Sequence, residues 1–476
     1  MAKAAASYRF GNGAGEAFET RNPAHPDQVV GIYASSTRED VERTLEGAAI
    51  AQRSWRAKPQ AERNAILSGF LDTLERRTDD IATAITLEQG KPTAEARAEA
   101  GKSIGEARTM LSHALAVGSS QAAAARPGFR NIVSRRPRGV IAAISPWNFP
   151  ILTPMRKVAP ALAFGNAIVL KPSEYTPATA AIIEECARES LPANLLSLVF
   201  GGGAVGDQLV RDRRVRGITF TGSVSTGRKI YAAGAENLVE LSLELGGKNA
   251  AVINDVTDLD AAVDQIAGAA FQCAGQRCTA ISRILVHTRL RDAVTEAVRQ
   301  RAERQVLGDG FAAGVTMGPL SHAAQLEKVA SMVAQGKADG ARIVTGGDKV
   351  RPASAPEGYF YAPTVLADVQ PGSAAALEEI FGPVISILSY ETEDQAFEIL
   401  NSVGYGLTAA LFSNQLGMVE RFVAQCETGM LHVNHGTIPD NHMPFGGIKD
   451  SGVGAYSVGP SSAAFYTTEH SVYVKA

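Results

Sequence analysis

Along the first part of the chain, apolar residues return every three or four positions. The stretch STREDVERTLEGAAIAQRSWRA (36–57) opens on Ser/Thr capping residues with acids in its first turn, then keeps helical spacing. QAERNAILSGFLDTLERR (60–77) and the Ala-rich TAEARAEAGKSIGEARTMLSHAL (93–115) repeat the pattern. Three amphipathic helices packed on a core are predicted. From about residue 131 strand-like and helical runs alternate: GVIAAIS, TPMRKVAPALAFG, AIVLK, TPATAAIIEECARES, LLSLVF, AVGDQLV, GITFTG, STGRKIYAAGA and LVELSLELGG. Short Gly/Pro connections in such an alternation predict a parallel sheet covered by helices, with ligands at the carboxyl ends of its strands. After LGGKNAAVINDV a second alternating block begins, including ISRILVH, ISILSY and LTAALFS, and predicts a second α/β domain. Two segments stand outside both blocks. RNIVSRRPR near 130 and AAFYTTEHSVYV at the end read as extended strands that pair as a small separate sheet.

Composition changes this picture little. The chain has 476 residues, a formal net charge of -3, 45% hydrophobic and 20% charged residues. This is ordinary globular composition with room for two or three domains. It gives no electrostatic footprint for nucleic acid. No apolar run is long enough for a membrane span, and the opening MAKAAASYRF has no signal-peptide pattern. Four cysteines are no disulfide framework, so a cytoplasmic location is expected.

The candidate chemistry clusters at strand ends. GGGAVG spells G-x-G-x-x-G at Gly201, Gly203 and Gly206, but no acid closes the next strand to hold a ribose, so a tight strand-to-helix turn explains it equally well. In FTGSVSTG, Ser223 is placed to cap a helix whose free N–H groups face an anion. LKPSE puts Lys171 and Glu174 at a strand's carboxyl end, where a lysine and a carboxylate suit ribose hydroxyls; an isolated LKPSE is a solvated turn. In ISPWNFPI two prolines stiffen the loop around Asn148, whose amide suits an oxyanion, while Trp147 and Phe149 read equally as core packing. Glu244 in LELGGK reads either as a base with a raised pKa or, by strand alternation, as an exposed position; alternation favours exposure. FQCAGQRCTA carries Cys273 and Cys278. Their spacing lacks further metal ligands, and a disulfide conflicts with the compartment. Two core thiols, or one core thiol and one nucleophile, remain. Cys273 ends a predicted helix and reads as structural, whereas Arg277 beside Cys278 favours a thiolate if it points inward.

Seven motifs, PWNFP, LKPSE, FTGS followed by Gly227, LELGGK, GQRC, EEIFGP and PFGGIKDSG, occur in this order. Together they resemble the non-acylating NAD(P)-dependent aldehyde dehydrogenases over nearly the whole chain, nearest to those for succinate semialdehyde and other ω-oxo-acid semialdehydes. The resemblance implies an α/β fold: a Rossmann-like parallel-sheet cofactor domain (1–122 and 140–248), a second α/β catalytic domain (249–445) and a small β oligomerisation domain (123–139 and 446–476). It implies Cys278 as nucleophile, Asn148 as oxyanion donor and Glu244 as the base, with Lys171 beside this catalytic set. It implies cofactor contacts from Ser145, Pro146, Trp147, Lys171, Ser173, Glu174, Gly203, Phe220, Thr221, Gly222, Ser223, Leu245, Gly246, Glu379 and Phe381. Glu174 on the ribose hydroxyls favours NAD, with NADP possible, and no metal is required.

Substrate contacts implied are Arg156, Gln272, Arg277 and Phe445. Arg156 matches the arginine that succinate-semialdehyde dehydrogenases use for the distal carboxylate; the second arginine of that signature is replaced by Gln272. A salt bridge within its helix is the plainer reading of Arg156. The expected substrate is a small carboxylated semialdehyde, such as succinate semialdehyde or 2-oxoglutarate semialdehyde, and a hydrophobic or aromatic aldehyde is the alternative. The expected assembly is a homodimer or homotetramer, with neither nucleic acid nor membrane as partner. A CoA-acylating relative lacks the base glutamate, a non-catalytic relative loses Cys278 or Glu244, and a thiol hydrolase needs a histidine partner that the sequence does not place.

Overall fold

The computed structural model describes residues 8–10 and 14–475. Most of the opening stretch read for a leader lies outside them.

Both alternating blocks form parallel sheets. In the first, Val140–Ile144 is central, flanked by Ala167–Lys171 and Leu196–Leu198 on one side and by Val215–Thr221 and Glu240–Glu244 on the other. Each adjacent pair among these strands is parallel. VIAAI and AIVLK are buried at every position, as a parallel strand covered on both faces requires. The chain runs outward from Val140–Ile144 through Ala167–Lys171, then returns to the opposite side at Val215–Thr221. The loops leaving the two strands at this reversal splay apart and open a crevice at their carboxyl ends.

The second sheet runs in the order Arg342–Thr345, Thr364–Ala367, Val384–Tyr390, Ile281–His287, Asn249–Asp255, Thr408–Ser413, Met430–Val433. Only its Arg342–Thr345 edge is antiparallel. Each sheet carries its own apolar core.

The two isolated segments do pair: Phe129–Pro137 runs antiparallel to Thr467–Lys475, with Ser120–Ala122 added on the far side. The expected bridging segment 446–476 is nevertheless divided. Gly452–Val453 joins the first sheet beside Glu240–Glu244. AAFY, read as strand, is helical (Ser462–Tyr466), because Ala463, Phe465 and Tyr466 bury into the first sheet's core.

The N-terminal helices form where the spacing places them, over Arg38–Arg56, Gln60–Arg76 and Thr93–Ala116. Thr37 caps the first in a reciprocal pair with Asp40. Two features escape the pattern. The antiparallel strands Ala17–Asn22 and His25–Ala34 precede the helices and lack clean alternation. The helix Thr78–Gln89 is buried on most sides, so no polar face marks its period. It ends at Gly90, whose left-handed φ of 92° turns the next residue, Lys91, inward. Among the described residues no helix is long and apolar enough to cross a membrane.

Candidate active site

Backbone geometry places the two cysteines differently. The helix Leu259–Phe271 breaks into a tight turn, Gln272–Gly275, in which Cys273, Ala274 and Gly275 all have positive φ. Left-handed backbone at two non-glycine residues is strained and persists only where the surroundings fix it. Here Gln276 fixes it: its Nε2 donates to the carbonyls of Cys273 (3.0 Å) and Pro319 (3.3 Å), and its Oε1 accepts from Ser321 N (2.9 Å). Gly275 is obligatory, since a Cβ there would stand 2.1 Å from the Gly382 carbonyl oxygen. Asn249 Nδ2 donates to the Cys278 carbonyl at 2.7 Å. Cys278 is thereby held half-buried on the wall of a cavity of about 340 Å³. Cys273 is 3% exposed and its sulfur accepts from Gln89 Nε2 at 3.4 Å, so it packs inside.

The cavity sits at the mouth of the crevice. Asn148 and Glu244 share it with Cys278. Asn148 Nδ2 donates to the Gln276 carbonyl at 2.8 Å, which sets the amide against the nucleophile turn. Glu244 ends its strand 5% exposed, so the exposed reading by alternation is corrected: the parallel sheet is covered on both faces and leaves no outward side there. Burial pushes the Glu244 carboxyl up to about 8, against the pull of Lys157 and Arg156. Burial likewise pushes the Lys157 ammonium down; it donates to Thr219 (3.1 Å) and Thr221 (2.8 Å). Burial raises the Cys278 thiol to about 11, although Arg156 and Arg277 favour the thiolate. Arg277 does point inward, but desolvation outweighs it.

On the cofactor side, Pro146, Trp147, Gly222 and Ser223 line the crevice with Thr221, Leu245, Gly246, Glu379 and Phe381. Ser223 caps the helix Val224–Ala235 by accepting from Thr226 N, leaving other first-turn N–H groups available to an anion. A Cβ on Gly246 would stand 2.5 Å from Glu379 Oε2, so only glycine lets the strand end lie against this carboxylate. Glu379 Oε1 accepts from Gly247 N at 3.0 Å. Trp147 and Phe381 meet edge to face with centroids 5.6 Å apart. A helix N-terminus, a buried carboxylate and an aromatic edge along one crevice fit a dinucleotide's phosphates, ribose and ring.

Six expected residues lie off this cavity: Ser145, Lys171, Ser173, Glu174, Gly203 and Phe220. Lys171 belongs to the strand on the far side of Val140–Ile144, with its ammonium 3.7 Å from Glu174 and donating to the Pro172 carbonyl. It stands with Glu174 and is not among the residues lining the cavity that holds Cys278. The Phe220 ring is buried in the core beneath Gly222. Ser173 Oγ accepts from Tyr175 N and shapes the LKPSE turn, and Gly203 opens the helix Gly203–Arg211.

On the substrate side Arg156, Gln272, Arg277 and Phe445 all line the cavity, but the two arginines differ. Arg156 makes a two-pronged pair with buried Glu106 (2.8 and 3.1 Å) and lies over the Phe445 ring at 4.1 Å. Its partner is on the helix Thr93–Ala116, not within its own helix. Arg277 is 7% exposed and donates only to neutral oxygens, Gln272 Oε1 (2.5 Å), Thr279 Oγ1 (3.2 Å) and the Thr437 carbonyl (3.5 Å). The sequence reading missed Lys91, which reaches the cavity from the turn after Gly90, and Glu99, Lys102 and Lys157, which reach it from helices. Gln325 was missed too; it donates to the carbonyls of Ile380 and Phe381 and fixes the Phe381 loop. Among the described residues no group of three or more His, Cys, Asp or Glu is arranged to hold a metal ion.

This site, a buried thiol, an amide donor and a buried carboxylate at the mouth of a nucleotide-type crevice, defines a cysteine-dependent oxidoreductase architecture. The aldehyde dehydrogenase family model matches residues 10–472, and the chain belongs to that family: it is an oxidoreductase acting on aldehydes. The chain is 34% identical to the alpha-ketoglutaric semialdehyde dehydrogenase of Bacillus subtilis, over 97% of this chain and 95% of that protein. It is 36% identical to the betaine aldehyde dehydrogenase of Cereibacter sphaeroides, over 97% and 94%. The crystal structure of an NAD-dependent aldehyde dehydrogenase from Sinorhizobium meliloti superposes with a TM-score of 0.95 at 32% identity, covering 98% of this chain and 95% of that one.

Proposed function

We propose that this chain oxidises a small carboxylated semialdehyde, of the succinate or 2-oxoglutarate semialdehyde type, to the corresponding acid, using NAD in preference to NADP. The observation that carries the substrate class is Arg277, a buried guanidinium on the cavity wall whose hydrogen-bond partners among the described residues are all neutral, with Glu95 of the same wall acting on it through charge alone. A buried cation of this kind is stabilised by an anion that completes its hydrogen bonding. A substrate carboxylate does so, with Lys102 nearby on the same wall. Arg156, expected as the anchor, is already neutralised by Glu106 and acts through the field it places on Cys278. A permanently cationic aldehyde such as betaine aldehyde is disfavoured by the same charges.

Cys278 gives its proton to solvent water, and its sulfur bonds to the aldehyde carbon as the carbonyl π bond opens to an alkoxide. The Asn148 amide and the Cys278 N–H hold the resulting oxyanion. A dinucleotide held by Ser223, Glu379 and Phe381 would supply the hydride acceptor for oxidation of the thiohemiacetal to a thioester. Glu244 takes a proton from water, whose oxygen attacks the thioester carbon; the carbon–sulfur bond breaks, the acid leaves and Cys278 is restored. Ser223 and the helix it caps hold the phosphates, and Glu379 and Phe381 hold the nicotinamide side. Lys171 and Glu174 hold the adenosine ribose. Protomers pair through the small sheet, whose outer strand Thr467–Lys475 leaves one edge unpaired among the described residues.

Arg277→Met is expected to raise KM for succinate or 2-oxoglutarate semialdehyde by about 10- to 100-fold, the loss of a charge-assisted pair, while KM for hexanal stays near wild type and kcat falls alike for both, because Arg277 also favours the Cys278 thiolate. Steady-state NADH formation over both substrates checks this. An equal rise in KM for hexanal removes the carboxylate-anchor reading. Glu174→Ser is expected to lower the preference for NAD over NADP by about tenfold, since a carboxylate at the ribose repels a 2′-phosphate. The ratio of kcat/KM for the two dinucleotides reads it.

A further inference from the structure

A second buried ion pair lies behind the oxyanion donor. Lys91 and Glu99 meet at 2.6 Å with side chains 1% and 2% exposed. A wholly buried ion pair is weak evidence for stability, because desolvation offsets much of its attraction. The remaining contacts of both partners converge on one loop. Lys91 Nζ donates to the main-chain carbonyl of Asn148 at 2.8 Å and lies over the Phe149 ring at 4.1 Å. Glu99 Oε1 accepts from the N–H groups of Ile151 (3.1 Å) and Leu152 (3.2 Å), where that loop enters the helix Leu152–Ala163. The pair thus grips PWNFPI at both ends of its functional stretch. The prolines restrict φ at positions 146 and 150, but Pro150 has no N–H to anchor the loop itself. Lys91 is in turn aimed by its own N–H, which donates to Gln89 Oε1 at 3.0 Å, and by the left-handed turn at Gly90.

We propose that Lys91 and Glu99 are positioning residues for catalysis: by holding the Asn148 carbonyl and the loop's exit, they fix the Asn148 amide at the place where the oxyanion forms. The inference rests on the reading of Asn148 as oxyanion donor. An amide whose loop drifts by about an ångström loses on the order of 10²-fold in rate, and neither Lys91 nor Glu99 need touch the reacting atoms.

The test is a double-mutant cycle on the purified full chain, with kcat and KM measured for NAD and for succinate semialdehyde, or for hexanal if that reacts faster. Asn148→Ala alone is expected to lower kcat by about 10²- to 10³-fold. Lys91→Met alone is expected to lower kcat by about 10- to 100-fold, with KM for NAD unchanged. Added to Asn148→Ala, Lys91→Met is expected to cost less than about threefold more, because residues acting as a unit are not additive. A merely structural lysine would cost as much in either background, and that outcome overturns the proposal while leaving the Asn148 reading intact. If Asn148→Ala leaves kcat unchanged, both the Asn148 reading and this proposal fail. Should Lys91→Met not fold, Glu99→Gln, which keeps an oxygen for the Ile151 and Leu152 N–H groups, carries the same cycle with the same expected non-additivity.

Discussion

Cys278→Ala is expected to abolish NADH formation, a fall of about 10⁴-fold or more in kcat, with NAD binding within about twofold of wild type. The size follows from chemistry. An aldehyde is a poor hydride donor until a nucleophile adds to its carbon, and Cys278 brings a thiol to the cavity wall. Cys273 does not substitute: it is buried and faces Gln89. Removal of one half-buried sulfur leaves the packing intact, because the turn is held by Gln276 and Asn249 through main-chain carbonyls. Fluorescence titration with NAD reads binding, and NADH absorbance reads turnover.

Glu244→Gln gives the second large effect, a fall of about 10²- to 10⁴-fold in steady-state kcat. Acylation survives, so one rapid NADH per protomer is expected before turnover stalls. The pH dependence separates the roles further. Burial raises the Glu244 carboxyl to about 8, so its base form grows as pH rises through that value. Wild-type deacylation therefore accelerates from neutral into mildly alkaline solution, and the Gln variant loses that limb. A pH–rate profile of the single-turnover and steady-state phases shows which step carries it.

Much of this arrangement was legible in the sequence where local pattern and global fold agree. Strand ends in VIAAI, AIVLK and GITFT placed Asn148, Lys171 and Ser223 at one edge of a sheet, because a parallel strand's loop must face the ligand side. GQRC, read with its neighbours, pointed to Cys278 rather than Cys273. What stayed hidden was set by tertiary contact. Alternation put Glu244 outside, yet a covered sheet has no outside. Arg156 and Arg277 look alike in sequence, and only the position of Glu106, on a helix fifty residues upstream, distinguishes a paired cation from an unpaired one. Lys91, in the turn after Gly90, and Glu99, on the helix Thr93–Ala116, carry no signal of their own; their meaning comes from the loop they grip. AAFY alternates like a strand but turns helical, because the first sheet's core takes its apolar side chains.

The most direct measurement is a stoichiometric one. Glu244→Gln protein is mixed with NAD and excess succinate semialdehyde, the NADH released in the first phase is counted, and the protein is then digested and weighed by mass spectrometry. One NADH per protomer, with the acyl group on the peptide that contains Cys278, is the expected result. Turnover at the wild-type rate with no acyl adduct, or an adduct on another peptide, would contradict the thioester route and with it the assignment of Cys278 and Glu244.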